Sequence, residues 1–208
     1  MTDPKAPVSA GQARDACRQH TGIAIPVYLP PGPQQDMGLA LLDDNVAACV
    51  AAIDDPAHIC LAVDGVDNGA AQVETLARQR GVRFVAGATN KGKLHALRLA
   101  LRVLADDNDL TWFAAIDADG DHFANELVNL VRAGLHAQQV TGQAHVHVLG
   151  RRISRHRPMG WLRGELEELA DRILLDALAY HAAVSGQPLR LGLATTLEEV
   201  PDFHFGFR

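Results

Sequence analysis

An apolar run, Trp112-Phe113-Ala114-Ala115-Ile116, ends in acids at alternate positions, Asp117-Ala118-Asp119-Gly120-Asp121. Like charges this close repel unless water or a cation screens them, and carboxylate oxygens are the ligands a hard divalent ion takes. Two further polar clusters follow apolar runs. Asp64-Gly65-Val66-Asp67-Asn68 closes Ile59–Val63, and Thr89-Asn90-Lys91-Gly92-Lys93 follows Val82–Val85 and opens a helical pattern. Lysines at a helix start oppose the helix dipole, which a nearby anion would offset. Backbone N–H groups beside a glycine suit a phosphate. Acids for Mg²⁺ or Mn²⁺, with lysines and N–H groups for phosphate, are together what a nucleoside diphosphate and its cation require.

The elements that must hold these clusters can be read from periodicity. The run Ile23–Tyr28 predicts a buried strand that enters the loop Pro30-Pro31-Gly32-Pro33. From Gly38 to Ile53 the apolar positions Leu39, Leu42, Val46, Val50 and Ile53 step by three and four, the spacing of an amphipathic helix. Ile59–Val63, Val82–Val85 and Trp112–Ile116 predict three more strands. Helices are expected over 69–80 (Val73, Leu76 and Ala77 inward), 91–104 (Leu94, Leu97, Leu101 and Leu104 inward) and 123–137. Four strand-then-helix units predict a three-layer α/β/α fold with a mostly parallel central sheet. In such a sheet ligands bind at the carboxyl ends of the strands, where the three polar clusters fall. Residues 1–20 are expected to be a lead-in or one short helix, and 21–208 one domain, with a nucleotide-binding half over 21–138. In the remainder, Ala144–Leu149 alternates like a strand with His145 and His147 on one face. The basic run Arg151–Arg157 follows, then a helix from about Leu162 to Val184, and Leu189–Leu193 as a last strand.

The chain has 208 residues, 48% of them hydrophobic, enough for a sizeable core. Its net charge of -6 speaks against a nucleic-acid partner, which selects a basic surface. Cys17, Cys49 and Cys60 lack the spacing of a zinc site or a disulfide framework, as expected of reduced thiols in the cytoplasm. No secretory signal or membrane-span pattern is present in the sequence, which leaves open a peripheral membrane contact and a homo-oligomer.

Four motifs in order resemble the GT-A-fold glycosyltransferases, in particular the large family 2. These are Ile25-Pro26-Val27-Tyr28, Val63-Asp64-Gly65-Val66-Asp67-Asn68, the run Asn90-Lys91-Gly92-Lys93-Leu94-His95-Ala96-Leu97, and the D-x-D of Asp117-Ala118-Asp119. The resemblance implies an inverting, metal-dependent enzyme that moves a sugar from a UDP- or GDP-sugar to a sugar, polysaccharide or lipid-phosphate hydroxyl. It implies that Pro26, Tyr28, Asp64, Asn90, Lys93 and Asp117 surround the nucleotide, and that Asp117 and Asp119 hold Mn²⁺ or Mg²⁺. By the same resemblance Glu199 or Glu198 is the catalytic base. The sequence departs from the family in the loop after Tyr28, which lacks the usual Asn and acids, and at Gly65, where a second acid is usual.

Other chemistries share parts of this pattern. A calcium loop counted from Asp117 would need Gly at its sixth position and Glu at its twelfth, where His122 and Val128 stand. A haloacid-dehalogenase-type phosphatase shares D-x-D-G after a strand, with Asp117 as nucleophile, but normally continues with Thr where this chain has Asp121. A relative that binds a nucleotide-sugar without turning it over is the remaining alternative. Asp121 reads as a helix cap, His145, His147 and His156 as hydrogen-bonding side chains, and the arginines of 151–157 as a solvated loop or a grip on an anion.

Overall fold

The structure is a computed structural model that describes residues 8–120, 124–150 and 161–186. Four strands, β1 (Thr21–Val27), β2 (Ile59–Val63), β3 (Arg83–Ala86) and β4 (Trp112–Ala115), form an all-parallel sheet in the order β3-β2-β1-β4. Helix α1 (Ala10–His20) leads in. Helices α2 (Gln35–Ala52), α3 (Ala70–Arg80) and α4 (Lys93–Ala105) form the crossovers, and α5 (Leu127–Thr141) follows β4. The chain steps outward from β1 to β2 to β3, then returns across the sheet to β4. Right-handed crossovers therefore put α2 and α3 on one face and α4 on the other. The expected α/β fold with helices on both faces is present.

The register divides the residues by size. Ile23 pairs with Ile59 and Ala114, Ile25 with Leu61, and Val27 with Val63, so one face carries the large side chains. The other face shows Ala24, Cys60 and Ala62, and against it lie Ala96, Ala100 and Leu104 of α4. Small residues on both surfaces let this helix settle close to the sheet. That rotates α4 away from the expected leucine stripe. Leu97 and Leu101 flank the contact, and Leu94 is 80% exposed. Helix α2 is rotated likewise. It buries Leu42, Asn45, Val46 and Cys49, while Leu39 and Val50 are only half-buried.

Strand β1 is central and contains a proline. The Ala24 carbonyl accepts from the Ile116 N–H (3.1 Å), so alternate residues of β1, Ala24 and Pro26 among them, face β4. Pro26 has no N–H to donate, and the β1–β4 ladder stops short of it. On the other side β1 runs on to Val27, paired with Val63. The sheet is thus split at its carboxyl edge between β1 and β4, where the direction of winding reverses.

The chain divides into two compact units, one of them Ala6–Leu135, with the other carrying α6 (Trp161–Ser185). The division expected at 138 and the end of that unit at Leu135 both lie in α5. The strand expected at Ala144–Leu149 does not form. His145 and His147 lie exposed in irregular chain, because alternation makes a strand only where a neighbour takes up its backbone groups. The expected strand Leu189–Leu193 lies outside the described residues. Among the described residues no helix is long and apolar enough to cross a membrane.

Candidate functional site

A cleft of about 470 Å³ opens at the split edge, lined by Pro26 and Val27 of β1 with Tyr28 just after it, Asp64 after β2, Asn90, Gly92, Lys93 and Ala96 around the start of α4, and Asp117, Ala118 and Asp119 after β4. Its size suits a nucleotide-sized ligand. The expected donor-site residues Pro26, Tyr28, Asp64, Asn90, Lys93, Asp117 and Asp119 all contribute to it. All belong to the unit Ala6–Leu135.

Asp64 has a structural task that its sequence position did not disclose. It is only 3% exposed, and its two oxygens accept from the backbone N–H groups of Lys91 (2.9 Å) and Gly92 (2.6 Å). Asn68 in turn donates to the Asp64 carbonyl at 2.5 Å. The carboxylate clamps the loop ahead of α4 and fixes where that helix begins. Gly65 permits the approach. Its φ of +94° is glycine territory, and a Cβ there would meet the Asn90 nitrogen at 2.8 Å. Gly92 caps α4 with φ +95° and open space around it, so bare backbone faces the cleft at the positive end of the helix. The Asn90 side chain accepts from the Gly92 N–H at 3.1 Å, which makes it part of the same loop.

On the opposite wall, Lys93 Nζ forms an ion pair with Asp117 Oδ1. Asn45 of α2 donates to the Asp117 carbonyl at 2.7 Å and holds the backbone after β4 in place. Sequence reasoning missed Asn45. Its only signal was an amide on the apolar stripe of a helix, where a buried polar group needs a partner. Asp119 lies exposed on the rim, and Tyr28, 56% exposed, presents its ring at the mouth.

Among the described residues no three His, Cys, Asp or Glu side chains cluster as a metal-binding group. The donors at hand are the carboxylates of Asp117 and Asp119. Such a set fits Mg²⁺ or Mn²⁺ held jointly with phosphate oxygens and water, the usual arrangement for Mg²⁺, rather than a complete protein cage. Glu198, Glu199, Asp121, His156 and the basic run 151–157 lie outside the described residues. Compared with protein-family models, with characterised proteins and with solved structures, the chain matches none.

Proposed function

We propose that the chain is a metal-dependent glycosyltransferase that binds a UDP- or GDP-sugar in the cleft between β1 and β4 and passes the sugar to a hydroxyl acceptor. The observation that carries this reading is the meeting of Lys93, Asp117, Asp119 and the Gly92 backbone around one cleft at the winding reversal of a parallel sheet. In this reading Asp117 and Asp119 hold Mg²⁺ or Mn²⁺. The ion's contribution is to offset the charge that grows on the diphosphate as the sugar leaves, which stabilises the transition state more than the ground state. The Lys93 side chain and the backbone N–H groups of Lys93 and Leu94, at the start of α4, bind the phosphates. Tyr28 offers a ring face to the base or the sugar. Asp64 acts indirectly, by holding the loop that presents these N–H groups. The base that accepts the proton of the incoming hydroxyl is assigned to Glu199 or Glu198 on the resemblance alone.

Calorimetry with UDP and GDP, each with and without Mn²⁺, tests the binding step. Release of nucleoside diphosphate from a panel of nucleotide-sugars tests turnover. The expected result is metal-dependent binding lost in Asp119→Ala, together with donor-dependent release. Absence of binding at millimolar nucleotide with Mn²⁺ sinks the proposal. One observation favours a non-catalytic relative as second reading. Of the three carboxylates lining the cleft, Asp64 is bonded to loop amides, Asp117 to Lys93, and Asp119 is assigned to the metal, so none stands ready as a base. Binding without turnover of any donor identifies that case.

A further inference from the structure

The Lys93–Asp117 pair sets a condition on what enters the cleft. We propose that it is a charge latch, which makes the cleft accept its cation and its anion together and resist either one alone. This inference rests on the nucleotide-sugar reading and sharpens it.

Asp117 already faces a cation that belongs to the chain, the Lys93 ammonium. A divalent ion arriving alone must displace that ammonium and then share the cleft with it. A phosphate arriving alone finds its lysine engaged, and it faces the three acids Asp64, Asp117 and Asp119 that line the cleft with it. When both arrive, the phosphate draws off the ammonium while the metal takes the carboxylate, so neither partner of the pair loses its counter-charge. The mobile part is Lys93, a long side chain that is 55% exposed. The backbone that carries the carboxylate is held, because the Asn45 side chain donates to the Asp117 main-chain carbonyl at 2.7 Å. Part of the tightening that each ligand confers on the other therefore passes through this pair, and linkage makes it equal in both directions.

The latch is tested on the full chain by binding, without reference to activity. Affinity for Mn²⁺ alone is read from the paramagnetic signal of the free ion. Affinity for UDP and GDP at saturating Mn²⁺ is read by calorimetry. Lys93→Met is expected to bind Mn²⁺ alone about fivefold tighter, the scale on which a partly exposed ion pair competes. The same variant is expected to bind nucleotide with Mn²⁺ about tenfold more weakly, since an ion-assisted contact to phosphate is lost. These shifts are opposite in sign, whereas a merely damaged fold weakens both. Lys93→Arg keeps Mn²⁺ binding at the level of the parent, and adding Asp117→Asn to Lys93→Met removes the gain. The latch is overturned if Lys93→Met binds Mn²⁺ alone no better than the parent, or if neither protein binds Mn²⁺ at all. Failure of both nucleotides to bind the parent with Mn²⁺ is a different result. It removes the transferase reading, while the Mn²⁺ comparison still decides whether Lys93 competes for Asp117.

Discussion

The two edges of the sheet carry the same kinds of charged residue and use them differently. At the amino edge Arg83 donates to the Val103 carbonyl (3.0 Å) and to Asp107 (2.8 Å). Arg18 pairs with Asp54, and His58 lies 3.8 Å from Asp107. The two arginines there meet carboxylates or a main-chain carbonyl. At the carboxyl edge the main chain of β1 and β4 parts beyond Ala24. Asp64 is committed to backbone N–H groups, Lys93 leans across to Asp117, and between them a cleft remains. A charged cluster thus becomes a candidate site when the backbone beneath it is kept open, here by Pro26 and two glycines with positive φ.

Substitutions sharpen or break this contrast. The largest effect is expected at Asp64→Ala, which strips two N–H groups of a charged partner. It should cost about 2–3 kcal/mol in chemical unfolding and abolish Mn²⁺–nucleotide binding, because the α4 entry loses its clamp. Asn45→Ala should cost about 1–2 kcal/mol by leaving the Asp117 carbonyl without its donor. It should also weaken Mn²⁺–nucleotide binding several-fold through the displaced acid, measured by calorimetry beside a melt. Asp107→Asn, at the other edge, should lower the melting temperature less than either and leave nucleotide binding unchanged. If it alters binding, the two edges are not separate.

The Asp107 effect has a definite pH dependence. The Asp109 backbone N–H, then the Arg83 side chain, hold the Asp107 carboxyl below the usual carboxylate range, against the opposing effect of burial. A folded-state value below the unfolded one means that the stabilisation is complete above the unfolded value. It is lost as pH falls through the folded one. The deficit of Asp107→Asn relative to the parent should therefore shrink in melts taken below about pH 4, near the unperturbed carboxylate value. The smallest effect concerns thiols. Cys49 and Cys60 are pushed up to about 12 by burial, and Cys17 is raised for the same reason. A thiol reagent at pH 8 should label none of the three before unfolding. Early labelling of Cys49 would show that α2, and with it Asn45, opens locally.

Much of the fold was legible because strand and helix alternate with clear periods, and because polar clusters end three of the four strands. The meeting of Asp64, Lys93, Asp117 and Asp119 at one edge followed from their places just after parallel strands, whereas the strand order that makes them neighbours did not. What each acid bonds to did not follow. That Asp64 would clamp Lys91 and Gly92 depends on how closely two loops approach, a tertiary fact that no spacing encodes. The leucine stripe of α4 misled because a sheet face of alanines and cysteine selects small helix residues, which overrides the count of leucines. Asn45 went unnoticed because a helix pattern scores apolar positions and passes over the one amide among them. His145 and His147 alternate as strand residues do, yet a single segment cannot supply its own partner.

The absent hydrogen on the Pro26 nitrogen has a consequence beyond the local ladder. Any other amino acid at that position would offer the Ile116 carbonyl one more rung, and β1 and β4 could zip a step further toward their ends. The opening is therefore written into the main chain and does not depend on side chains to prop it. Changes in the lining that leave the Asp64 clamp intact can therefore alter ligand preference without closing the opening.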